Sequence, residues 1–190
     1  WQPEHVASLT NLGNLLRAQQ RLDEAQALLE RAHELEPGAD TSLNLGLLMM
    51  DRGELSRARE LGASAAAAQP DSADAAELVG VAARLDEDVD AALAALDRCV
   101  ALDPGRGGAW FELGLARGAA ADWAGARSAY AKARALRFDT PRLRWAQDLS
   151  LPALPADAAE VDSALAQFEA GVERLLAESS RRPAGDAAAH

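Results

Sequence analysis

Residues 9–37 read LTNLGNLLRAQQRLDEAQALLERAHELEP, and the pattern of this stretch recurs along the chain. A large apolar residue followed by glycine returns every 33 or 34 residues, with the glycines at Gly13, Gly46, Gly80 and Gly114. Prolines after the second apolar stretch keep the same period, at Pro37, Pro70 and Pro104. Two series of small residues share this register, namely Ala25, Ala58, Ala92 and Ala126, and Ala32, Ala65, Cys99 and Ala133. Self-similarity at one fixed period indicates a repeat protein.

Each repeat contains two amphipathic stretches of roughly 13–15 residues, which is long enough for two helices of about 20 Å. Small residues at the crossing points let the two backbones approach, and proline ends the second helix. The predicted helix pairs are 6–19 with 22–36, 40–52 with 54–69, 73–85 with 88–103, and 107–120 with 122–137. One pair cannot bury its own apolar faces, so the pairs are expected to stack into an all-α, right-handed solenoid of antiparallel helix pairs.

The repeat resembles the tetratricopeptide repeat (TPR), whose pattern is W-x2-L-G-x2-Y, then A-x3-F, then P. The first unit matches it with Leu9, Leu12-Gly13, Leu16, Ala25, Leu29 and Pro37, and the resemblance extends over residues 6–138. The fourth unit departs from it at Arg117 and Phe138, and the third at Ala76. The second has Ser42 and Gly62 where bulky residues are typical, so looser packing is expected there.

The period divides the chain into a stub of a preceding repeat at 1–5 and four units at 6–38, 39–72, 73–106 and 107–139. A capping helix at 140–150 is expected to cover the last repeat with Leu143, Trp145, Ala146 and Leu149. A proline linker at 151–156 and an amphipathic helix at 157–179 follow, and a disordered tail is expected at 180–190.

One apolar stripe runs along the helix at 157–179, formed by Val161, Leu165, Phe168, Val172, Leu175 and Leu176. Such a stripe needs a cover, which could be the chain's own last repeats, a second copy of the helix or a further domain. We expect docking within the chain, with Trp145 as the landing site, because the proline linker is short.

The stretch LRWAQDLSLPALPADAAEVDSALAQFEAGVERLLAE at 143–178 resembles the segment between TPRs and catalytic domain in bacterial relatives of O-linked N-acetylglucosamine transferase. The matching residues are Ala159-Glu160-Val161, Phe168, Gly171, Val172 and Leu175. Asn11-Leu12-Gly13-Asn14 also looks like the repeats of that transferase. The resemblance implies a bacterial protein that recruits substrates for a glycosyltransferase domain, which would follow His190.

Composition narrows the class of partner. The chain has 190 residues and a net charge of −11, which argues against nucleic acid and an anionic membrane surface as partners. It shows neither a signal-peptide pattern nor an apolar run of about 18 residues, so we expect a cytoplasmic protein without a membrane span. Its single cysteine excludes an internal disulfide.

The sequence does not predict a catalytic, metal or cofactor site. Asp86, Glu87, Asp88 and Asp90 are better explained as a charged turn that caps the next helix than as metal ligands. Cys99 is expected to be a small buried residue, and His33 to lie on a solvated helix face. The glycine-rich run at 105–108 lacks the lysine and hydroxyl residue of a phosphate-binding loop. Whether the parent protein is an enzyme stays open, since a longer chain could be a glycosyltransferase.

The concave groove is the candidate site, because the resemblance implies that first helices line it and that partner peptides lie along it. The residues before each apolar-glycine pair are expected to face the groove: Asn11, Asn44, Leu78 and Glu112. Three positions after them come Asn14, Leu47, Val81 and Leu115. Stacked asparagines could hold an extended backbone, since amides both donate and accept hydrogen bonds. The alternative is that Asn11 and Asn44 are merely solvated helix residues.

The predicted function is therefore recognition of an extended peptide or protein partner, in the substrate-recruiting region of a bacterial protein O-glycosyltransferase. Two alternatives remain. One is a non-enzymatic TPR scaffold or adaptor unrelated to glycosylation, and the other is an enzyme in its own right.

Overall fold

The computed structural model describes residues 5–148 and 158–181, and all regular secondary structure within them is helical. The helices of the repeats are α1 (Val6–Ala18), α2 (Leu22–Leu35), α3 (Ala39–Asp51), α4 (Leu55–Ala68), α5 (Ala73–Leu85), α6 (Val89–Leu102), α7 (Gly107–Ala119) and α8 (Trp123–Ala135). They are followed by α9 (Pro141–Asp148) and α10 (Ala158–Arg181). Each of the first eight begins and ends within two residues of its predicted bounds, and the all-α prediction is confirmed.

The eight helices form four stacked pairs. The helices of a pair pack on each other, and the second helix of each of the first three pairs packs on the first helix of the next. Successive first helices, α1, α3, α5 and α7, are also in contact and form one layer. This stacking buries apolar faces that a single pair would leave in water, as the solenoid prediction requires.

A turn of three residues joins the two helices of every pair. Its middle residue has a left-handed backbone, with φ between 60° and 75°, at Gln20, Gly53, Glu87 and Ala121. Only the second repeat has glycine there, so the other three turns hold an L side chain in a region that disfavours it.

The glycine after the apolar residue of each first helix allows close contact with the second helix. A Cβ on Gly13 would lie 2.7 Å from the Leu29 Cγ atom, and one on Gly80 would lie 2.6 Å from the Leu96 Cγ atom. Tyr130 packs in the same way on the glycine of the fourth repeat. These glycines are therefore required by packing between helices.

In the second repeat, the side chain that packs on the glycine comes from the third repeat. Gly62 stands where the other repeats have Leu29, Leu96 and Tyr130, and Leu78 of α5 fills the space beside it. Leu78 is only 2% exposed, so the prediction that it faces the groove is wrong. The prediction that Gly62 loosens packing is also wrong, because a neighbouring repeat supplies the missing side chain.

In the fourth repeat, Phe138 replaces the expected proline and joins an aromatic cluster. Its ring centroid lies 5.8 Å from that of Phe111, which in turn lies 6.0 Å from that of Tyr130. Leu143 of α9 is 1% exposed in this cluster, so α9 caps the last repeat as predicted. Trp145 is 59% exposed and takes no part in that cover. Leu149, the fourth predicted capping residue, lies outside the described residues.

Helix α10 packs against α9. Gly171 is buried, and Phe168 and Val172 are half-buried, whereas Val161, Leu165 and Leu176 are exposed. The expected docking on Trp145 is wrong, because that indole remains exposed. Residues 1–4 of the predicted stub at 1–5, the linker at 151–156 and residues 182–190 of the predicted tail at 180–190 lie outside the described residues. Residues 180 and 181, which were predicted to belong to the tail, are the last two residues of α10. Among the described helices, none is both long and apolar enough to cross a membrane.

Candidate partner-binding groove

An open groove with a volume of about 1060 Å³ lies beside α1 and α3, the first helices of the first two repeats. Its lining comes from α1, from α3, from the loop between the first two repeats and from Gln69, which follows α4. The polar residues of this lining are His5, Thr10, Asn11, Asn14, Glu36, Asp40, Thr41, Asn44 and Gln69. The structure therefore brings three predicted site residues, Asn11, Asn14 and Asn44, to one surface.

The three asparagines differ in their hydrogen bonding. The Asn14 Nδ2 atom donates to the Asn44 Oδ1 atom over 2.7 Å, across the junction of two repeats. The Asn44 Nδ2 atom donates to the Asp40 backbone oxygen over 2.7 Å. The Asn14 Oδ1 atom is buried and has no hydrogen-bond donor among the described residues. Asn11 is exposed one helical turn before Asn14.

This arrangement differs from the expected stack of asparagines that are all open to a partner backbone. Asn44 is half-buried and holds two intramolecular hydrogen bonds, so the interpretation of it as a free, solvated residue is wrong. Its role is to fix the orientation of Asn14. Two groups of these asparagines have no hydrogen-bond partner among the described residues, namely the Asn11 amide and the buried Asn14 oxygen.

The other predicted groove residues lie farther along the first helices. Leu47, Val81 and Leu115 are half-buried and pack on the three core clusters, and none of them lines the groove beside α1 and α3. The Glu112 carboxylate accepts from the Arg84 Nε atom over 2.5 Å, and their side chains are 17% and 15% exposed. The charge of Glu112, which is predicted to face the groove, is therefore offset by its ion pair with Arg84.

The loop between α2 and α3 supplies groove residues that the sequence analysis missed. The Thr41 hydroxyl donates to the Glu36 backbone oxygen over 2.7 Å and accepts from the Gly38 backbone N–H over 3.1 Å. His33 is half-buried with its Nδ1 atom 3.2 Å from the Thr41 Oγ1 atom, so it is not a solvated helix residue. These bonds hold the loop, and with it the Glu36 and Asp40 side chains, at the edge of the groove.

A second cavity of about 470 Å³ adjoins the groove and shares Ala39, Asp40 and Gln69 with it. Arg106 lines this cavity and pairs with Asp74, Glu77 and Asp103 at 2.6, 2.9 and 2.8 Å. The hydrogen bond to Asp74 is the main reason that the Arg106 pKa is raised. The hydrogen bond from Arg106 lowers the Asp103 pKa. The sequence contains one signal for this acidic surface. Asp40 and Asp74 occupy the same position in two successive repeats.

The remaining polar clusters have structural roles. The Asp88 side chain accepts from the Ala91 backbone N–H over 3.2 Å and caps α6, as predicted, and Arg59 pairs with Asp86 and Asp88. Cys99 is fully buried, and burial raises the pKa of its thiol to about 11, so it stays protonated at neutral pH. Within 5–148 and 158–181, no group of three or more histidine, cysteine or acidic residues could hold a metal ion.

Solved structures share this fold. A crystal structure of MamA protein has a TM-score of 0.74 and 23% identity, covering 94% of this chain and 96% of that one. TTC0263, a TPR protein of Thermus thermophilus, has a TM-score of 0.65 and 24% identity, covering 89% and 91%. Pseudomonas aeruginosa pilF has a TM-score of 0.71 and 20% identity, covering 87% and 76%. At these identities the likeness concerns the fold alone.

No curated protein matches the chain. The sequence model of the tetratricopeptide repeat matches twice, at residues 10–73 and 43–107, and the two matches together span just over half of the chain. They cover the repeats that form the groove. The chain belongs to the tetratricopeptide repeat family.

Proposed function

We propose that this chain is a protein–protein interaction module that binds an extended segment of a partner protein in the groove beside α1 and α3. The observation that carries this proposal is the pair of amide groups left open there, the exposed Asn11 side chain and the buried Asn14 oxygen.

The Asn14 oxygen favours a hydrogen-bond donor from a partner. A buried acceptor without a donor costs about 1–3 kcal/mol, and a backbone N–H of a bound segment would remove that cost. Asn44 holds the Asn14 amide in place before binding, so little side-chain ordering is left for the binding step. An amide also does not select among partner side chains, which suits recognition of a backbone.

The proposal can be tested by selecting binders from a random dodecapeptide display library. Peptides selected on the wild-type protein should bind several-fold more weakly to Asn11→Ala and Asn14→Ala variants. Ser64→Ala is the control, since Ser64 is an exposed residue of α4 that does not line the groove. Equal binding to all three variants would place the peptides elsewhere and contradict the proposal. Circular dichroism of each variant separates lost binding from lost folding.

A finer proposal is that the groove recruits substrates for a bacterial protein O-glycosyltransferase in the cytoplasm. It is supported by the resemblance of residues 143–178 to the segment that precedes such catalytic domains. The exposed apolar residues of α10, Val161, Leu165 and Leu176, would suit contact with a neighbouring domain. The competing proposal is a scaffold unrelated to glycosylation. Reading the parent gene beyond His190 decides between them, because only the first requires a nucleotide-sugar-binding domain there.

A further inference from the structure

The two adjoining cavities contain more carboxylates than cations. Five acidic residues line them, namely Glu36, Asp40, Asp71, Asp74 and Asp103. The opposing positive charge comes from Arg106, and His5 is the other basic side chain in the lining. Two of the five carboxylates, Asp74 and Asp103, are already paired with Arg106.

The three other carboxylates are open to a partner. Within the described residues, the side chains of Glu36, Asp40 and Asp71 form no ion pair, and all three residues lie at least partly in solvent. The arginines farther along the first helices are already engaged. Arg84 is held by Glu112, and the Arg17 Nε atom lies 3.7 Å from an Asp51 carboxylate oxygen. Among the described residues that line the two cavities, no guanidinium is open to an incoming anion, whereas three carboxylates are open to an incoming cation.

The helix dipole does not account for all three of these carboxylates. Asp40 lies in the first turn of α3, where a negative charge interacts favourably with the helix dipole. Asp71 lies in the loop between α4 and α5. Glu36 is the C-cap residue of α2, where the dipole disfavours a negative charge. A nearby cation from a partner would offset that unfavourable placement.

We infer that the groove selects extended partner segments that carry arginine or lysine side chains, with Glu36, Asp40 and Asp71 as the residues that receive them. This inference rests on the proposed function, since it assigns charge to the segment that the asparagines hold. Charge complementarity of this kind mainly raises selectivity and association rate, and it weakens as salt is added.

The chain offers a closely matched pair of variants for the test. Asp40 and Asp90 are both exposed, and each is the second residue of its helix, so Asp40→Asn and Asp90→Asn remove the same charge from equivalent helix positions. Only Asp40 lines the groove. Any non-specific attraction of basic peptides to an acidic protein falls equally in both variants.

Dodecapeptides selected on the wild-type protein should be richer in arginine and lysine than the starting library. Synthetic copies of the selected peptides should bind about two- to five-fold more weakly to Asp40→Asn, as expected for an exposed ion pair, and should bind Asp90→Asn like the wild type. Raising the salt concentration should weaken binding to the wild type more than binding to Asp40→Asn. Equal affinities for the two variants, or selected peptides without a basic excess, would overturn the inference.

Failure of the inference differs from failure of the proposed function. Peptides that depend on Asn11 yet carry no excess of basic residues would contradict the charge preference and leave peptide binding intact. A selection that yields no peptide dependent on Asn11 would contradict both.

Discussion

The Leu78 side chain of α5 lies against Gly46 of α3, so close that a Cβ on the glycine would be 2.6 Å from the Leu78 Cδ2 atom. In the other three repeats, the equivalent glycine meets a large side chain from the second helix of its own repeat. Leu78 thus fills a space in the second repeat from a position in the third. Packing of the second repeat therefore depends on a side chain of the third repeat, in addition to the stacking of the two helix pairs.

Leu78→Ala should destabilise the protein by about 2–5 kcal/mol, the usual cost of emptying a buried leucine site. Leu47→Ala is the matched control, because both residues belong to first helices and were predicted to line the groove, but Leu47 is only half-buried. Its substitution should cost clearly less. Urea unfolding followed by circular dichroism measures both.

A large residue at position 62 tests whether the packing of positions 62 and 78 is coupled. In the Leu78→Ala background, Gly62→Leu should recover part of the lost stability, because the new side chain occupies the vacated space. In the wild type, the same substitution should be destabilising, since a Cβ there already meets Val79 and Leu78 at 2.8 and 3.3 Å. Equal effects in the two backgrounds would show that the two sites are not coupled.

The left-handed turn at Ala121 predicts a stabilising substitution. Ala121 has φ near 60°, which costs a residue with a Cβ about 1–2 kcal/mol relative to glycine. Ala121→Gly should therefore raise the free energy of unfolding by about 1 kcal/mol. Ala131→Gly, at an exposed site within α8, should instead lower it by about 0.5–1 kcal/mol. The two alanine-to-glycine substitutions should therefore change the free energy of unfolding in opposite directions. A decrease at both sites would contradict the turn geometry.

The period of the sequence predicts where every repeat helix lies, because the glycine, alanine and proline series mark helix crossings and helix ends. It cannot predict which side chain fills a given space. Leu78 stands in the same register position as Asn11 and Asn44, and only the vacancy at Gly62 explains why it points into the core. The identity of the residue at position 62 is therefore linked to the placement of a side chain in the next repeat.

The candidate site could be predicted in part from the same sequence period. The register places Asn11, Asn14 and Asn44 on one surface, and the structure agrees. The hydrogen bond between Asn14 and Asn44 depends on side-chain rotamers at a junction of two repeats, which sequence spacing does not specify. Pairing of Glu112 with Arg84 likewise joins residues 28 apart in the chain, so reading each helix separately cannot reveal it.

The cap of α6 should contribute to the acid sensitivity of the fold. The backbone hydrogen bond from Ala91, with the ion pair to Arg59, lowers the Asp88 pKa below its usual value. A carboxylate with a depressed pKa in the folded state adds stability above its unfolded pKa and loses that contribution as the pH falls through its folded pKa. The urea midpoint of Asp88→Ala should thus lie below that of the wild type at pH 7, and the gap should shrink below about pH 4. A gap that stays constant down to about pH 2.5 would contradict this assignment.

Cys99 should report unfolding through its reactivity. The thiol is fully buried, and its pKa is raised to about 11, first by burial and then by Glu77. At about pH 8 in the absence of denaturant, a disulfide reagent such as dithiobis-nitrobenzoate should react very slowly with it, because the reactive thiolate is rare and shielded. In urea, the reaction rate should rise in parallel with loss of helix signal. Rapid reaction of the folded protein would show that α6 opens locally around Cys99.

The hydrogen bond between Asn14 and Asn44 predicts that two groove asparagines differ in their effect on stability. The Asn14 oxygen is buried and already lacks a hydrogen-bond donor. Asn44→Ala also removes the acceptor of the Asn14 Nδ2 atom, so the Asn14 side chain would lose its remaining hydrogen bond. Destabilisation by about 1–3 kcal/mol is expected. Asn11→Ala should change the urea midpoint little, because Asn11 is exposed. Both variants should nevertheless lose affinity for selected peptides, Asn11→Ala by direct loss of contact and Asn44→Ala by release of Asn14. Should Asn44→Ala unfold at the wild-type midpoint, the two amides do not hold each other in solution, and Asn44 would be free to contact the partner itself.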